Sequence, residues 1–443
     1  MAWCFFDRRH TAAVPAGSLS RLAIRRVGRC LVLFRTPLES RFFPIRSANS
    51  LHRQQQALDP ATAEGPIDMP VLSRCELRRL MIADQPGGQV AEHEFVTSLT
   101  SGLTFRFVRK LKQGAIYGEV WSAIVVEIHG SSEGGSGVDS FYTEVLDESG
   151  CARRLAVKRM PWDTIIEQTS DPHMRENPLR EIVILTEISN PGHPHVLGVE
   201  EALDDGSTVY LTTPFVGGKE GGDMFDWVHE NHDTPASEAV IRPLLRQILE
   251  GLHYVHSKGV CHADMSLENT LLNATHDEAF IIDFGMALKM PTDDAGRRLK
   301  SVPDGRGAKK TYRAPEMNKG KVYDGVKVDV FSVGCMAFMM FTGICPFDEA
   351  TRLDWKFKKV VYRGEMQDYL RKYGLPSLPE PVHRLLRRMM AYRPEDRPLP
   401  ADLLEDAWFT PVSEDAQQQQ QAAAPVDVAP AAAAAAAESD TQA

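Results

Sequence analysis

The chain has 443 residues, of which 43% are apolar and 25% are charged, and these values exclude a disordered chain and a fibrous repeat. The length exceeds that of one ordinary compact domain, so we expect more than one structural unit. The sequence contains no run of the roughly 18 consecutive apolar residues that a membrane span needs. The apolar run Phe331–Phe341 is short and contains Gly334, which predicts a buried core helix.

Charge is unevenly distributed along the chain. The net charge is −10, but residues 1–57 contain ten arginines, no lysine and only two acidic residues, so they carry +8 and the remainder carries −18. An acidic body of this kind is unsuited to nucleic acid and suited to basic partners. The seven cysteines are scattered and odd in number, which indicates reduced thiols in an intracellular protein, cytoplasmic or nuclear.

Composition divides the chain into a folded part and flanking segments. The Arg-rich residues 1–57 are typical of a disordered basic tail or of a mitochondrial transit peptide. Residues 58–100 contain turn formers without sustained periodicity, which predicts a linker. Residues 411–443 are rich in Gln and Ala and are predicted to be a low-complexity, disordered tail. The folded part is therefore expected between residues 101 and 410.

The first part of this folded region is predicted to be rich in strands. Leu103–Leu111 and Val120–Ile128 carry β-branched residues in alternating or continuous apolar runs. The glycine-bearing turn Gln113–Gly118 lies between them. The insertion 129–150, which contains the Gly/Ser-rich stretch Gly130–Gly137, is predicted to be a solvent-exposed hairpin extension before the next strand, Leu155–Lys158.

A helical pattern from Leu179 to Ile188 and one further strand at Val209–Phe215 complete this first part. The second part is predicted to be mainly helical. Long helices are then expected at Ala236–His256, Val328–Phe341, Val382–Met390 and Ala401–Trp408. The order predicts an α+β fold with two lobes, 101–216 and 217–410, and a cleft between them.

Several short motifs place polar residues where an apolar strand or a long helix ends. Ala156-Val157-Lys158 puts a lysine on a strand, His262-Ala263-Asp264 precedes Asn269 by a short loop, and Ile281-Ile282-Asp283-Phe284-Gly285 ends an apolar strand in an acid. Ala314-Pro315-Glu316 lies downstream. Each motif alone has an ordinary explanation, such as a hairpin glycine, a surface lysine or a carboxylate that caps a helix.

Together and in this order, these residues resemble the signature set of eukaryotic-type protein kinases of the serine/threonine type, over about residues 104–409. Asp329 and Arg397 match two further family positions. In the family, the aspartate braces the catalytic loop, here His262–Asn269, and the arginine pairs with the glutamate of Ala-Pro-Glu, here Glu316. The resemblance implies a two-lobed protein-kinase fold. It also implies transfer of the γ-phosphoryl group of ATP, with Mg²⁺, to serine or threonine hydroxyls of protein substrates.

The resemblance also implies residue roles. Lys158 would bind ATP phosphates and would pair with Glu181 rather than with Glu187. Asp264 would accept the proton of the substrate hydroxyl. The metal ligands would be Asn269 and Asp283, because Mg²⁺ prefers oxygen ligands. The expected nucleotide-binding set is Lys112, Gly114, Gly118, Val120, Ala156, Lys158, Thr213, Phe215 and Asp223.

The chain departs from the family pattern in its cations. Ala263 stands where kinases regulated by activation-loop phosphorylation have the arginine that binds the phosphate, and Ser266 stands where a lysine contacts the γ-phosphate. We therefore expect a non-RD kinase, meaning one without that arginine, that is active without such phosphorylation. Seven residues before Glu316, Lys309 replaces the usual threonine and is predicted to take over as the catalytic cation. The alternative is that Lys309 and Lys310 form a solvated basic turn.

The sequence also predicts a substrate preference and leaves two alternative functions open. Asp223 and Glu268 occupy family positions that contact basic substrate residues, which predicts a preference for arginine or lysine before the acceptor. One alternative is a pseudokinase scaffold that binds nucleotide or partners without turnover. The other is a small-molecule phosphotransferase, against which the Ala-Pro-Glu motif, Asp329 and Arg397 argue.

Overall fold

The structure is a computed structural model, and it describes residues 70–86, 88–115, 117–130, 140–170, 176–217, 222–293, 308–319 and 322–410. The predicted tails at 1–57 and 411–443 lie outside these residues, as does much of the Gly/Ser-rich stretch. The side chains of residues 112–116 also lie outside the description, although the backbone at most of these positions is included.

The first half of the described chain forms one eight-stranded sheet. Its strands are β1 (Ser73–Ala83), β2 (Val90–Ser98), β3 (Thr104–Ala115), β4 (Gly118–His129), β5 (Phe141–Glu144), β6 (Arg154–Pro161), β7 (Glu201–Asp204) and β8 (Thr208–Pro214). The spatial order is β2-β3-β4-β5-β1-β7-β8-β6, with further pairings between β1 and β2 and between β4 and β6.

These pairings close the sheet into a barrel. Strand β1 pairs with β2 in antiparallel register and with β7 in parallel register, while β4 pairs with both β3 and β6. The path β1-β2-β3-β4-β6-β8-β7 therefore returns to β1. The interior is apolar and fully buried, with Val96, Phe105, Val157 and Tyr210 among its side chains. Closure pairs strand edges that would otherwise stay free to bind another chain.

The prediction of a linker at 58–100 is wrong for residues 73–98, which form β1 and β2. The turn formers near Pro86 connect the two strands of a hairpin instead of marking an unstructured segment. In β1, charged residues interrupt the alternation of buried side chains, because Arg78 and Arg79 are adjacent and both exposed. The period-two signal on which a strand prediction depends is therefore weak.

The predicted hairpin extension after β4 is only partly exposed. Strand β5 pairs with the end of β4, and the Tyr142 side chain is 3% exposed. Tyr142 packs in a second apolar cluster with Ile82, Phe95 and Val126, which come from β1, β2 and β4. The insertion and the hairpin β1-β2 thus form a common core, which explains why neither is a free segment.

The second half is mainly helical, as the periodicity predicts. Helices α1 (Trp162–Thr169) and α2 (Pro178–Ile188) still belong to the first half, between β6 and β7. The second half contains α3 (Met224–Glu230), α4 (Glu238–Ser257), α5 (Gly325–Thr342), α6 (Met366–Lys372), α7 (Glu380–Met389) and α8 (Pro400–Leu404), with a helical turn Trp355–Phe357 that continues into a π-helix at Lys358–Tyr362. Short 3-10 turns lie at Leu267–Asn269, Met317–Lys319, Pro394–Asp396 and Ala407–Phe409. Two-stranded ladders join β9 (Val260–Cys261) to β12 (Leu288–Lys289) and β10 (Thr270–Leu272) to β11 (Ala279–Ile281).

Helix α5 contains the apolar run noted in the sequence. Among the described residues it is the one helix long and apolar enough to cross a membrane, and most of it is buried inside the protein. Its side chains Val330, Phe331 and Phe338 have no exposed surface. It is therefore the core helix around which the second lobe packs.

The common core of β1, β2 and β5 gives a first prediction. Phe95 is fully buried and its ring lies edge-on to Tyr142, with 5.6 Å between centroids. Replacing Phe95 by Ala should lower the free energy of unfolding by about 3–5 kcal/mol because it leaves a cavity. Val90→Ala, at an exposed position of the same strand, should cost less than about 0.5 kcal/mol. Urea denaturation of the full chain measures both, and equally small losses would mean that β2 lies outside the folded core.

Candidate active site

A buried ion pair lies between the barrel and helix α2. Lys158 is on β6, and its Nζ donates to Oε2 of Glu181 at 2.6 Å. Helix α2 begins at this place because the Asn177 side chain accepts hydrogen bonds from two of the first free amides and Pro178 occupies the first turn. Burial lowers the pKa of Lys158, but Glu181 and Asp283 outweigh this effect and hold it above its usual value. The ammonium is therefore charged. Glu187, the other acid on this helix, pairs with Lys289 instead.

The glycine-bearing turn joins β3 to β4 and touches two other elements. Gly118 has a φ of 150°, and a Cβ there would lie 2.0 Å from the carbonyl oxygen of Arg159 on β6. Glycine is thus needed for the close contact between the turn and β6. Tyr117, at the tip, is 1% exposed, and its hydroxyl donates to the carbonyl oxygen of Glu176 just before α2.

The remaining residues of the expected nucleotide set lie on neighbouring strands. Val120 is opposite Lys158, and Ala156 is opposite Thr213. Phe215 follows β8 where the chain passes to the second lobe, and the Arg154 guanidinium lies 4.3 Å from the centre of its ring. The side chain of Lys112 is outside the described part, although its backbone pairs with Val120, and Gly114 lies near the end of strand β3.

Asp223 lies at the start of α3, on the second lobe. Its carboxylate accepts a hydrogen bond from the backbone amide of Asp226 at 2.9 Å and so caps the helix. The backbone of Asp223 also forms a bridge to Leu271, next to the catalytic loop. The residue is partly exposed and can reach a ligand on this side of the site.

The catalytic loop depends on one buried carboxylate of helix α5. Asp329 is 1% exposed and accepts hydrogen bonds from the backbone amides of His262 and Ala263, both at 2.8 Å. It also bonds to Nε2 of His256 at 2.9 Å. Ala263 has a φ of 61°, an uncommon conformation for a residue with a Cβ. The bonds from Asp329 hold the loop in this conformation.

Asp264 and Asn269 face each other across the loop. The Asn269 amide donates to the Oδ2 of Asp264 at 2.8 Å and to its backbone carbonyl at 2.9 Å. The side-chain oxygen of Asn269 is therefore directed away and can bind a cation. Burial raises the pKa of Asp264 above its usual value, and the charges of Lys309 and His262 act against this rise. A carboxylate with a raised pKa is better suited to accept a proton.

Asp283 follows strand β11 and has a φ of 66°. Burial raises the pKa of its carboxyl, but Lys158 and the backbone amide of Gly285 outweigh burial and hold the pKa below its usual value. Phe284 is fully buried beside the His262 ring, with 4.9 Å between centroids. The Nε2 of His262 bonds to the carbonyl of Ile282 at 2.9 Å. Asp283 is thus ionised and fixed near Lys158.

These residues fit a magnesium-bound nucleotide. A buried ammonium at Lys158 can bind phosphate oxygens, and an ionised Asp283 with the Asn269 side-chain oxygen supplies the hard ligands that Mg²⁺ requires. Asp264 lies beside these ligands, because its carboxylate accepts a hydrogen bond from the Asn269 amide. The arrangement is therefore suited to phosphoryl transfer, whose catalysis depends mainly on positioning the reacting groups and neutralising the phosphate charge.

Two residues of the site region were not found from the sequence. Tyr117 connects the glycine-bearing turn to the segment before α2, and burial raises its pKa far above the usual value. Burial and the nearby Asp283 raise the pKa of Glu176 to about 7. Neither position has a spacing signal, because the hydrogen bond between them joins residues that are 59 positions apart in the chain.

The Ala-Pro-Glu motif and Arg397 form a buried pair below the site. The Arg397 guanidinium donates to both carboxylate oxygens of Glu316, at 2.5 and 2.9 Å, and to the carbonyls of Lys327 and Ala391. Arg397 is 1% exposed. This bidentate pair fixes the end of the activation segment, Asp283–Glu316, against the second lobe.

Comparison with known proteins assigns the family. The sequence matches the family model described as "Protein kinase domain" over residues 135–409. A Saccharomyces cerevisiae protein named "Probable serine/threonine-protein kinase HSL1" is 31% identical over 247 residues, which are 55% of this chain and 15% of that protein. A Dictyostelium discoideum protein, also named a probable serine/threonine-protein kinase, is 30% identical over 242 residues, 54% of this chain and 26% of that protein. "CBL-interacting serine/threonine-protein kinase 19" of Arabidopsis thaliana is 27% identical over 259 residues, 58% of this chain and 47% of that protein.

The family match covers more than half of the chain, which therefore belongs to the protein kinase family, with serine/threonine-type relatives. The predicted two-lobed α+β kinase fold is confirmed. This chain spans less than half the length of the three relatives above. The match begins at residue 135, after the glycine-bearing turn and strands β1–β4.

Proposed function

We propose that the protein transfers the γ-phosphoryl group of ATP to serine or threonine hydroxyls of protein substrates. The observation that carries the proposal is the ion pair of Lys158 with Glu181, at 2.6 Å, in the same site as the hydrogen bond from Asn269 to Asp264, at 2.8 Å. The names of the curated relatives support the serine/threonine class.

Each residue has a defined part in this reaction. Bound Mg²⁺ supplies charge neutralisation on the phosphates. Asn269 and Asp283 would hold the ion, and Lys158 would bind phosphate oxygens. Asp264 orients the substrate hydroxyl and accepts its proton as the oxygen bonds to phosphorus and the bond to ADP breaks. The buried pair of Glu316 and Arg397 shapes the segment where a peptide would lie, which favours a protein substrate over a small molecule.

The test is phosphorylation of a degenerate peptide library by the full chain with ATP and Mg²⁺. Asp264→Asn should lower kcat by about 10²–10⁴-fold, because the base is lost while the shape of the side chain is kept. Binding of Mg²⁺-ADP by the variant should stay within about two-fold, which shows that the site is folded. If wild type and variant give the same background rate while both bind nucleotide, the protein is a pseudokinase scaffold.

We further propose a non-RD kinase that is active without activation-loop phosphorylation. Ala263 is 4% exposed and packs in an apolar cluster with Leu288, Met290 and Val326. A phosphate brought against this cluster would lose hydration without gaining a charged partner there. The catalytic loop is instead held by Asp329 through backbone bonds that need no phosphate.

Phosphatase treatment of the purified protein should therefore leave the rate within about two-fold, a barrier change of about 0.4 kcal/mol. Complete removal of phosphate is checked by mass spectrometry. As the matched variant, Ala263→Arg restores the missing cation and should make the rate sensitive to phosphatase if the rest of the pocket can still accept a phosphate. A hundredfold loss on treating the wild type would contradict the proposal.

We also propose that the protein prefers arginine or lysine on the N-terminal side of the acceptor. Asp223 is a partly exposed carboxylate at the start of α3 and offers an acceptor to such a side chain. Glu268 is a weaker candidate than the sequence alone indicates, because its Oε1 lies 3.9 Å from the ammonium of Lys309. The acidic charge of the chain outside residues 1–57 acts in the same direction.

Asp223→Ser isolates the charge of Asp223, because serine is also a good helix cap. The variant should lose about tenfold in kcat/KM on an arginine-bearing peptide and stay within two-fold on the peptide with alanine at that position. Asp233→Asn, at an 88% exposed side chain after α3, is the control and should change neither value. Enrichment of proline or acidic residues around the acceptor would contradict the proposal.

The location of the protein in the cell stays a prediction. We propose an intracellular protein, with residues 1–57 acting as a basic tail or as a mitochondrial transit peptide.

A further inference from the structure

Lys309 lies at the end of the activation segment, directly beside the catalytic loop. Its backbone amide donates to Oδ1 of Asp264 at 3.2 Å. Its carbonyl accepts from the amides of Tyr312 and Arg313 at 2.9 and 3.0 Å. The backbone at this position is therefore fixed on both sides, and Lys309 cannot move without disturbing Asp264.

The side chain of Lys309 reaches into the catalytic loop. Its Nζ donates to the Oγ of Ser266 at 2.7 Å, lies 3.7 Å from Oδ2 of Asp264 and lies 3.9 Å from Oε1 of Glu268. Ser266 is fully buried, and its short hydroxyl side chain carries no charge. The ammonium thus stands next to the position at which the family pattern has its catalytic-loop lysine, and 40% of the Lys309 side chain is exposed.

We propose that Lys309 is a catalytic residue that contacts the transferring phosphoryl group, in the role that Ser266 cannot perform. The inference rests on the proposed phosphotransfer activity. The cation that the family pattern has in the catalytic loop would here come from the activation segment. As the bond from phosphorus to ADP breaks and the substrate oxygen bonds to phosphorus, the ammonium stabilises the charge on the phosphoryl oxygens. Such stabilisation depends on where the cation stands, whichever segment supplies it.

The neighbouring Lys310 shows that the location is specific. Its side chain is 69% exposed, and its Nζ lies 3.7 Å from Oε2 of Glu349, away from the catalytic loop. The two lysines have the same charge and adjacent positions, but only Lys309 contacts Ser266 and Asp264. A solvated basic turn would give both side chains similar surroundings. Lys310 is therefore the matched control.

Nucleotide binding tests the contact without turnover. Titration calorimetry of the full chain in Mg²⁺ gives the ratio of affinities for the non-hydrolysable ATP analogue AMP-PNP and for ADP. Lys309→Met keeps an unbranched side chain of similar length without the ammonium and should lower this ratio by about tenfold, because the lost contact is to the third phosphate alone. Lys310→Met should leave the ratio within two-fold. Equal ratios in wild type and Lys309→Met would overturn the inference.

Kinetics supply a second readout. Lys309→Met should lower kcat by about 10²-fold, the scale for one preorganised donor, and Lys310→Met by less than two-fold. The double change Ser266→Lys with Lys309→Thr should recover much of the rate. Equal effects of the two single variants would overturn the inference.

The two proposals fail in different ways. If the wild type transfers no phosphate to any peptide, the proposed function fails, and the affinity ratio alone decides whether Lys309 contacts the third phosphate. If the wild type is active but Lys309→Met keeps both its rate and its affinity ratio, the proposed function stands and the assignment of Lys309 is wrong.

Discussion

The catalytic loop of this protein depends on the buried carboxylate of Asp329. Removing a carboxylate from water costs several kcal/mol unless hydrogen bonds compensate for the lost hydration. Here three donors do so, namely the backbone amides of His262 and Ala263 and the ring of His256. Because the acceptor sits on the core helix α5, the loop takes its position from the most deeply buried element of the second lobe. The bond from His262 to the carbonyl of Ile282 then extends this constraint to the segment that carries Asp283.

Because these hydrogen bonds fix the catalytic loop, the residues near it can lack the cations of the family pattern. Ala263 faces an apolar cluster, and Ser266 is fully buried against the Lys309 ammonium. The two departures lie at different places, because Ala263 packs with Leu288 and Met290 whereas Ser266 contacts Lys309. The second has a direct consequence for the site. The ammonium of Lys309 lies 3.7 Å from Oδ2 of Asp264, so the order of the activation segment and the electrostatics of Asp264 are linked.

Sequence reasoning found most of the polar site and missed much of the first lobe. Lys158, Asp264, Asn269 and Asp283 were identifiable because each ends a strand or starts a loop within a fixed local spacing. The neighbours of Lys309 could be inferred only from the family pattern, because Ser266 is 43 residues away in the chain. Strands β1 and β2 were missed because adjacent arginines weaken their alternation and because their burial depends on Tyr142, in an insertion that itself has little periodicity. Non-local packing of this kind leaves little trace in a window of 11–18 residues.

The closed barrel also determines which parts of the site can move relative to one another. Strand β6, which carries Lys158, is paired with β4 on one side and β8 on the other, within a sheet that β1 and β2 close. A change in the contact between Lys158 and Glu181 must therefore come mainly from helix α2. The two residues before that helix form hydrogen bonds to other segments: the carbonyl of Glu176 accepts from the Tyr117 hydroxyl, and the amide of Asn177 donates to the carbonyl of Gly285 at 3.0 Å. Two adjacent residues thus connect the glycine-bearing turn, the glutamate that pairs with Lys158 and the segment of Asp283, so a displacement of any one of these three is resisted by the other two.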